Sequence, residues 1–208
     1  MSKTLYLQNF VRIKNRTVNV NGKKQTFEAE STKEFAEKIY RAENIEYPKF
    51  FKMDTMSKFG LLASEFVLKN LKIDPHTSLV FANISASLDT DVIYSEHAFE
   101  TGKNYLPSPG TFVYTLPNIV MGEVCIKHKI QGENFFMVRP EFDATAFSIA
   151  LRSQFELGKA TSFLVAWVEV FEEDFDIFAC LVNTEQDTEK LEYSSTMLNM
   201  IYNGTNNT

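Results

Sequence analysis

At 208 residues, the chain has the length of about one domain of ordinary size. Its apolar fraction of 44%, which includes nineteen phenylalanines, is enough to build a buried core. The formal charge of −6 argues against a general affinity for nucleic acids or anionic membranes, because both require clustered lysine and arginine.

No stretch of the sequence has the composition of a leader or a membrane span. The first residues lack a long apolar run, and no later run approaches the roughly 20 residues that cross a bilayer. Only two cysteines occur, Cys125 and Cys180. These features predict a soluble, cytoplasmic chain with reduced thiols.

The first thirty residues predict a strand followed by a hairpin. Residues 5–11 have the composition of a strand, and residues 17–27 that of a hairpin. Its turn falls at Asn21 and Gly22, because both residues tolerate the positive φ of a type I′ turn. We treat residues 1–30 as an N-terminal extension of one domain that covers residues 1–208.

Two helices are predicted next. Ser31 can cap the first, over residues 31–44, while Glu34 reaches back to the same turn. The second, over residues 54–70, has apolar residues at helical spacing along one side.

The rest of the chain predicts an α/β domain. Strands over 162–171 and 176–183 are nearly continuous apolar runs, as expected when helices cover both faces of a sheet. A loop is predicted over 97–111. A helix over 187–203 is expected to pack Leu191, Met197, Leu198 and Ile201 inward and to precede a mobile tail, residues 203–208. Further strands are predicted over 78–86 and 135–139, and further helices over 117–129 and 144–157, the last of them buried.

Four segments resemble one protein family in the same order. They are residues 50–65 with Met53 and Asp54, the strand 78–86, residues 114–134 with Pro117, Asn118 and Gly132, and the strand 163–169 ending in Glu169. This series resembles the N-terminal half of β-ketoacyl-acyl-carrier-protein synthases of the thiolase superfamily. The resemblance implies a thiolase-like half, with a mixed, mostly parallel sheet flanked by helices. The N-terminal hairpin departs from that family.

The family's nucleophilic cysteine is missing. In these synthases the cysteine lies in a turn between a short strand and a buried helix. Counting from Gly132, Glu141 occupies its place in this sequence. The family's C-terminal half, which supplies the catalytic histidines, has no counterpart, and His76, His97 and His128 lie in no histidine motif. The resemblance therefore implies a non-condensing chain similar to a chain length factor.

Two side chains are candidates for residual chemistry. Glu141 can act as a base or hold a malonyl-type substrate, or it can cap the following helix, as Asp143 can too. We favour a cap, because a carboxylate without an acid, base or oxyanion partner does little acyl chemistry. Cys125 has His128 and Lys129 at i+3 and i+4, which can lower a thiol pKa, although a small buried apolar residue is the favoured interpretation.

No metal site or cofactor is predicted. The histidines lack the paired spacings of zinc sites, and the acidic residues 172–174 lack the pattern of a calcium loop. No phosphate loop or dinucleotide fingerprint occurs.

The resemblance also implies partners. In thiolase-fold dimers the strand before the nucleophile turn pairs with its counterpart at the two-fold axis. The chain is expected to form a homodimer or to bind a full-length ketosynthase, with an acyl carrier protein as a further candidate partner. Because half of the fold is missing, an exposed apolar face is also expected. The dimer strand consists of Phe135, Phe136, Met137 and Val138.

An acyl cleft ending near Glu141 is a further implication. The predicted function is accessory, in fatty-acid or polyketide-type synthesis of an aryl-polyene-like kind. The alternatives are a small acyltransferase or decarboxylase that uses Glu141 or Cys125, and a free-standing acyl-binding or carrier-binding module. The cleft candidates are Phe112, Tyr114, Leu116, Met121 and Phe142.

Overall fold

A computed structural model describes residues 4–99, 108–185 and 190–205 of the chain. Within these ranges, one sheet of eight strands has helices on both faces. The strands are β1 (Tyr6–Lys14), β2 (Thr17–Val20), β3 (Lys23–Thr26), β4 (Ser78–Asn83), β5 (Asn134–Val138), β6 (Ser162–Phe171), β7 (Asp174–Asn183) and β8 (Leu191–Glu192). The helices are α1 (Thr32–Ala42), α2 (Thr55–Leu68), α3 (Leu88–Ala98), α4 (Pro109–Val113), α5 (Ile119–His128), α6 (Ala144–Glu156) and α7 (Ser195–Asn203).

The sheet is mixed, with both parallel and antiparallel pairs of strands. Its order is β3-β2-β1-β7-β6-β4-β5, and the short β8 pairs with β1. β4 pairs in parallel with β5 and β6, whereas β7 is antiparallel to both β6 and β1. Among β1, β7, β6, β4 and β5, only β7 therefore runs against the others. This confirms the predicted α/β architecture, and β2 and β3 are the predicted hairpin, with positive φ at Asn21 and Gly22.

The two edges of the sheet differ in character. β3 is exposed along its whole length and carries Lys23 and Lys24, which discourage pairing with another strand. β5 lies at the other edge, carries the apolar residues 135–138 and, among the described strands, pairs only with β4. The sheet therefore has one protected edge and one apolar, unpaired edge.

Two apolar layers cover the sheet. On one face α1, α2 and α5 pack through Phe35, Phe59 and Val124. On the other face α6 and α7 pack through Phe147 and Leu198. The central strands β4, β6 and β7 are buried over most of their length, as their apolar runs predict.

The predicted cap of α1 is present, with one change, and α2 is capped by the residue at its predicted start. Ser31 Oγ accepts a hydrogen bond from Glu34 N (3.2 Å), and Asp54 Oδ1 accepts one from Ser57 N (3.0 Å). The Glu34 carboxylate accepts from Glu30 N (2.7 Å), one residue before the cap. Both helices therefore begin where the sequence indicates, since these bonds satisfy amides that lack a partner within the helix.

Two predictions about the last helix are wrong, its start and the inward packing of Leu191. α7 begins at Ser195 because Ser194 caps it, with its hydroxyl accepting from Met197 N (3.1 Å). Leu191, which was expected to pack inward, is 49% exposed on β8. The start of the predicted helix and the tail 206–208 lie outside the described residues.

The loop predicted over 97–111 is shorter in the structure at both ends. It begins within α3 and ends within α4, and residues 100–107 lie outside the described ranges.

α6 is not buried on all sides. Its inward side contributes Phe147 and Leu151, but its outward side is exposed and mostly polar. The same holds for α7, so this outer layer does not present the broad apolar face expected from a missing second half. The outward residues of the two helices are Thr145, Ile149, Arg152, Ser153, Glu156, Thr196, Asn199, Met200 and Asn203.

Tyr202 attaches α7 to the rest of the domain. Its ring stacks on Phe142 with centroids 3.8 Å apart, and its hydroxyl donates to Asp176 Oδ2 (3.2 Å). Burial and Asp176 together raise the pKa of Tyr202 to about 12. Burial alone would raise the pKa of Asp176, but Arg12 and Lys14 outweigh it and hold that pKa below its ordinary value. Arg12 Nε of β1 also donates to Tyr202 O (3.2 Å), so α7 is fixed to β1, to β7 and to the turn before α6.

None of the helices in the described part of the chain is long and apolar enough to cross a membrane.

Candidate functional site

The turn between β5 and α6 holds the carboxylate that stands in place of the nucleophile. Glu141 is exposed there and makes no hydrogen bond or ion pair with the described residues. Asp143 is the cap of α6 instead, with Oδ1 accepting from Thr145 N (3.0 Å) and Ala146 N (2.9 Å). The backbone bond from Ala146 and the ion pair with Arg139 lower the pKa of Asp143. The interpretation of Glu141 as the cap is therefore wrong.

Apart from Glu141 and Asp143, the polar side chains that line the groove beside Glu141 are uncharged. An open groove between this turn and α7 is lined by hydroxyl and amide side chains, among them Thr145, Thr196 and Asn199. No histidine, cysteine, lysine or arginine belongs to its described lining. The first amides of α6 are already bonded to Asp143, so they are not free to stabilise an oxyanion.

Cys125 is not activated by its neighbours. It lies half-buried on α5, and its Sγ is 3.8 Å from Asn134 Oδ1. Burial raises its pKa, although the contact with Asn134 opposes that shift. His128 Nε2 lies 3.0 Å from Glu65 Oε1, and Lys129 ends α5 in a left-handed conformation with φ of 57°. The less favoured alternative, a Cys125 thiol with a lowered pKa, is therefore wrong.

The remaining candidate ligands are scattered. Cys180 is fully buried in β7, where burial raises its pKa. His76 lies in an exposed loop, His97 on α3 and His128 at the end of α5. Within the described ranges, no three His, Cys, Asp or Glu side chains are grouped so that they could hold a metal ion.

The five cleft candidates do not line one cleft. Met121 is buried in the layer of α1, α2 and α5, whereas Phe142 packs in the layer of α6 and α7. The sheet separates them. Tyr114 is buried and donates its hydroxyl to Glu123 Oε1 (3.0 Å). Only Phe112 and Leu116 are exposed, at 52% and 46%.

Phe112 and Leu116 belong to a larger apolar surface on α3 and α4. Among the described side chains of α3, only that of Thr90 is buried, and α4 has no buried residue. The apolar side chains of both helices face outward instead, the reverse of an ordinary surface helix. We call this region the α3–α4 surface; it consists of Ile84, Leu88, Val92, Ile93, Phe112, Val113 and Leu116, which are 41% to 52% exposed.

A carboxylate holds the start of this surface. Glu169 Oε2 accepts hydrogen bonds from Ile84 N (2.6 Å) and Ser85 N (3.1 Å), and its other oxygen contacts the Ser85 hydroxyl. Asn83, at the end of β4, pairs with Val138 of β5. The α3–α4 surface therefore begins beside the end of β5, the strand with the free outer edge. The sequence placed Glu169 at the end of a strand but gave no indication of this role.

The geometry predicts that the chain forms no covalent acyl intermediate. Glu141 lacks partners, and the pKa of Cys125 is raised. We expect incubation with acyl-CoA or an acylated carrier protein to leave the intact mass unchanged. Cys125→Ala provides the control. An acyl adduct on the wild-type chain that disappears in Cys125→Ala would contradict this prediction and favour an acyltransferase.

Solved structures share this architecture. The chain superposes on the ishigamide ketosynthase/chain length factor with a TM-score of 0.68 and 15% identity, covering 91% of this chain and 64% of that one. The chain has the thiolase-type fold of ketosynthases and chain length factors. No protein-family model matches its sequence, and no curated protein matches it either.

Two further complexes contain chains with this thiolase-type fold. One is the ketosynthase ApeO in complex with its chain length factor ApeC from Xenorhabdus doucetiae, with a TM-score of 0.61 and 12% identity. The match covers 97% of this chain and 92% of that one. The other is AntDE:AntF, a type II polyketide synthase acyl-carrier protein in complex with its ketosynthase, with a TM-score of 0.58 and 13% identity. This second match covers 88% of this chain and 63% of that one. The chain thus spans less than two thirds of two matched chains but nearly all of the third.

Proposed function

We propose that the chain is a non-condensing partner of a full-length ketosynthase, with the accessory role of a chain length factor in fatty-acid or polyketide-type synthesis. The observation that carries this proposal is the apolar, unpaired edge of β5. The position of Glu141, without a nucleophile or catalytic partners, supports the absence of condensing activity.

The free edge of β5 can be assigned residue by residue. Glu133 O accepts from Leu79 N (3.0 Å), and Arg139 N donates to Asn83 O (2.8 Å). Since backbone groups alternate along a strand, residues 135 and 137 also face β4, while residues 134, 136 and 138 direct theirs away from the sheet. These outward groups suit pairing with a strand of the partner.

The α3–α4 surface extends this interface. It begins beside Val138, and its apolar side chains are exposed on helices that bury almost nothing of their own. Exposed apolar side chains grouped on neighbouring helices are typical of a protein interface. We propose that the ketosynthase covers it and that an acyl chain is enclosed between the two proteins, against Phe112 and Leu116.

A single thiolase-type half is sufficient for this role. The half that is present contains the whole of β5, so it supplies the complete edge. Its outer layer of α6 and α7 is mostly polar and needs no second half to cover it. One matched chain in a ketosynthase and chain length factor complex is of nearly the same length.

An acyl carrier protein is proposed to reach the assembly through the ketosynthase. In one matched structure the carrier protein is in complex with its ketosynthase. The chain itself has a formal charge of −6. The acyl chain is proposed to be of the polyketide type, with an aryl-polyene-like chain as one case.

The proposal can be tested by co-expression. The tagged chain is produced with each full-length ketosynthase of its own genome, and light scattering after size exclusion gives the mass of what is purified. We expect a complex of one chain with one ketosynthase, and a shift in product length when the chain is omitted. A mass equal to one chain with every ketosynthase, at micromolar concentration, would refute the proposal. A homodimer would retain the edge pairing but contradict the heteromeric partner.

A further inference from the structure

Glu123 is a buried carboxylate at the junction of three segments. It lies on α5 and is 2% exposed. Its Oε1 accepts from the Tyr114 hydroxyl (3.0 Å) and contacts Lys49 Nζ (2.6 Å), and its Oε2 accepts from the Tyr47 hydroxyl (3.0 Å). Lys49 lies in a short 3-10 turn, Pro48–Lys52, which Tyr47 precedes. Tyr114 lies at the end of α4.

Such a carboxylate is stable only with its partners in place. A buried charge without hydrogen bonds is strongly unfavourable, so removal of one donor leaves a cost at the others. Burial and Glu123 raise the pKa of Tyr47 to about 12 and also raise the pKa of Tyr114. Both phenols are therefore held as protonated donors near neutral pH, and the carboxylate fixes α5, the 3-10 turn and α4 relative to one another.

Of the three segments that Glu123 joins, α4 has the least packing of its own and depends most on the contact with Glu123. None of its residues is buried, so apolar packing does not fix it. Thr115, just beyond it, accepts from the Ser87 hydroxyl (2.6 Å), and the Phe112 ring lies 5.9 Å from that of Tyr94. The first contact joins α4 to Ser87, the buried residue that precedes α3, and the second joins it to α3 itself. Tyr114, whose ring is buried in the layer of α1, α2 and α5, connects the end of α4 to the core.

We infer that Glu123 is a positioning residue for the α3–α4 surface, acting through Tyr114. It holds α4 so that Phe112, Val113 and Leu116 present one apolar face. That this face binds a ketosynthase rests on the proposed function, whereas the attachment of α4 does not. No part of the resemblance pointed to a role for Glu123, because its donors come from two distant segments of the chain, Tyr47 and Lys49 in one and Tyr114 in the other.

Two tyrosines donate hydrogen bonds to the Glu123 carboxylate, and replacing each in turn gives a matched pair of variants. Tyr114→Phe removes the hydroxyl that reaches α4, and Tyr47→Phe removes an equivalent hydroxyl, also at 3.0 Å, that reaches the 3-10 turn. Amide hydrogen exchange is measured by mass spectrometry on peptides that cover residues 109–116 and 47–52. We expect Tyr114→Phe to accelerate exchange in 109–116 by about tenfold or more, with little change in 47–52. Tyr47→Phe should give the opposite pattern.

The outcomes separate this inference from the proposed function. Unchanged exchange of 109–116 in Tyr114→Phe, or equal acceleration of both peptides in both variants, would overturn it. Glu123→Gln should accelerate both peptides, and the two phenylalanine variants suffice if it does not fold. Where a ketosynthase complex forms, Tyr114→Phe should weaken it by about tenfold and Tyr47→Phe by less than twofold. If no complex forms with the wild-type chain, the proposed function fails, but the exchange experiment still decides the role of Glu123.

Discussion

Gly132→Ala is expected to destabilise the protein by about 3 kcal/mol or more, or to prevent folding. A Cβ at this position would lie 2.1 Å from Thr77 O and 2.7 Å from His76 O. Those atoms belong to the backbone of the loop before β4, which cannot move aside as a flexible side chain can. Gln131 N also donates to Pro75 O (2.6 Å), so the two loops are held close together.

Gly122→Ala is the matched control. Gly122 lies on α5, where no atom within 4 Å would meet an added Cβ. Alanine is favoured over glycine inside a helix, so this variant should be more stable by about 0.5–1 kcal/mol. Denaturant unfolding followed by circular dichroism measures both effects. If the two variants changed the free energy of unfolding in the same direction, the steric explanation for Gly132 would be wrong.

These opposite effects would explain one motif of the resemblance. Gly132 is the residue that matched the family's glycine before the nucleophile strand. Its role in this chain is a close approach between two backbone segments, so the motif reports how β5 is placed next to β4. It carries no information about catalysis.

Val138→Pro is expected to weaken association with the ketosynthase by about tenfold or more. The N–H of Val138 points away from β4, and its side chain is 58% exposed. Proline removes that donor and places a ring on the free edge, while the hydrogen bond from Arg139 N to Asn83 O is retained. Since one hydrogen bond contributes about 0.5–1.5 kcal/mol and proline also blocks close approach, the loss should be readily measured by calorimetry.

The comparison variant is Val138→Ala, which shortens the same side chain but keeps the backbone donor. We expect it to change the affinity by less than threefold, because the contribution of strand pairing comes from the backbone. Phe136 is less suitable, since it also packs against the core, and its replacement would lower stability as well. Equal affinities for Val138→Pro and Val138→Ala would show that β5 does not pair with the partner and would remove the main support for the proposed assembly.

The sequence by itself determined the elements that depend on neighbouring residues. The apolar runs of β6 and β7 gave strands with nearly the predicted bounds, and Ser31 and Asp54 cap the helices that they were expected to start. Asn21 and Gly22 form the predicted turn. Periodicity, capping and turn chemistry act over a few residues, so they can be recognised without knowledge of the fold.

Only the tertiary structure decided which side chains meet. Glu141 and Asp143 were equivalent as caps in the sequence, and the direction of the turn gave the cap to Asp143. Cys125 and His128 share a helix, but His128 lies next to Glu65. The cleft candidates were divided by the sheet, and Glu123 obtained a donor 76 residues away, in Tyr47. Contacts of this kind depend on how distant segments pack, and burial then sets the energy of each polar group, which local sequence patterns do not encode.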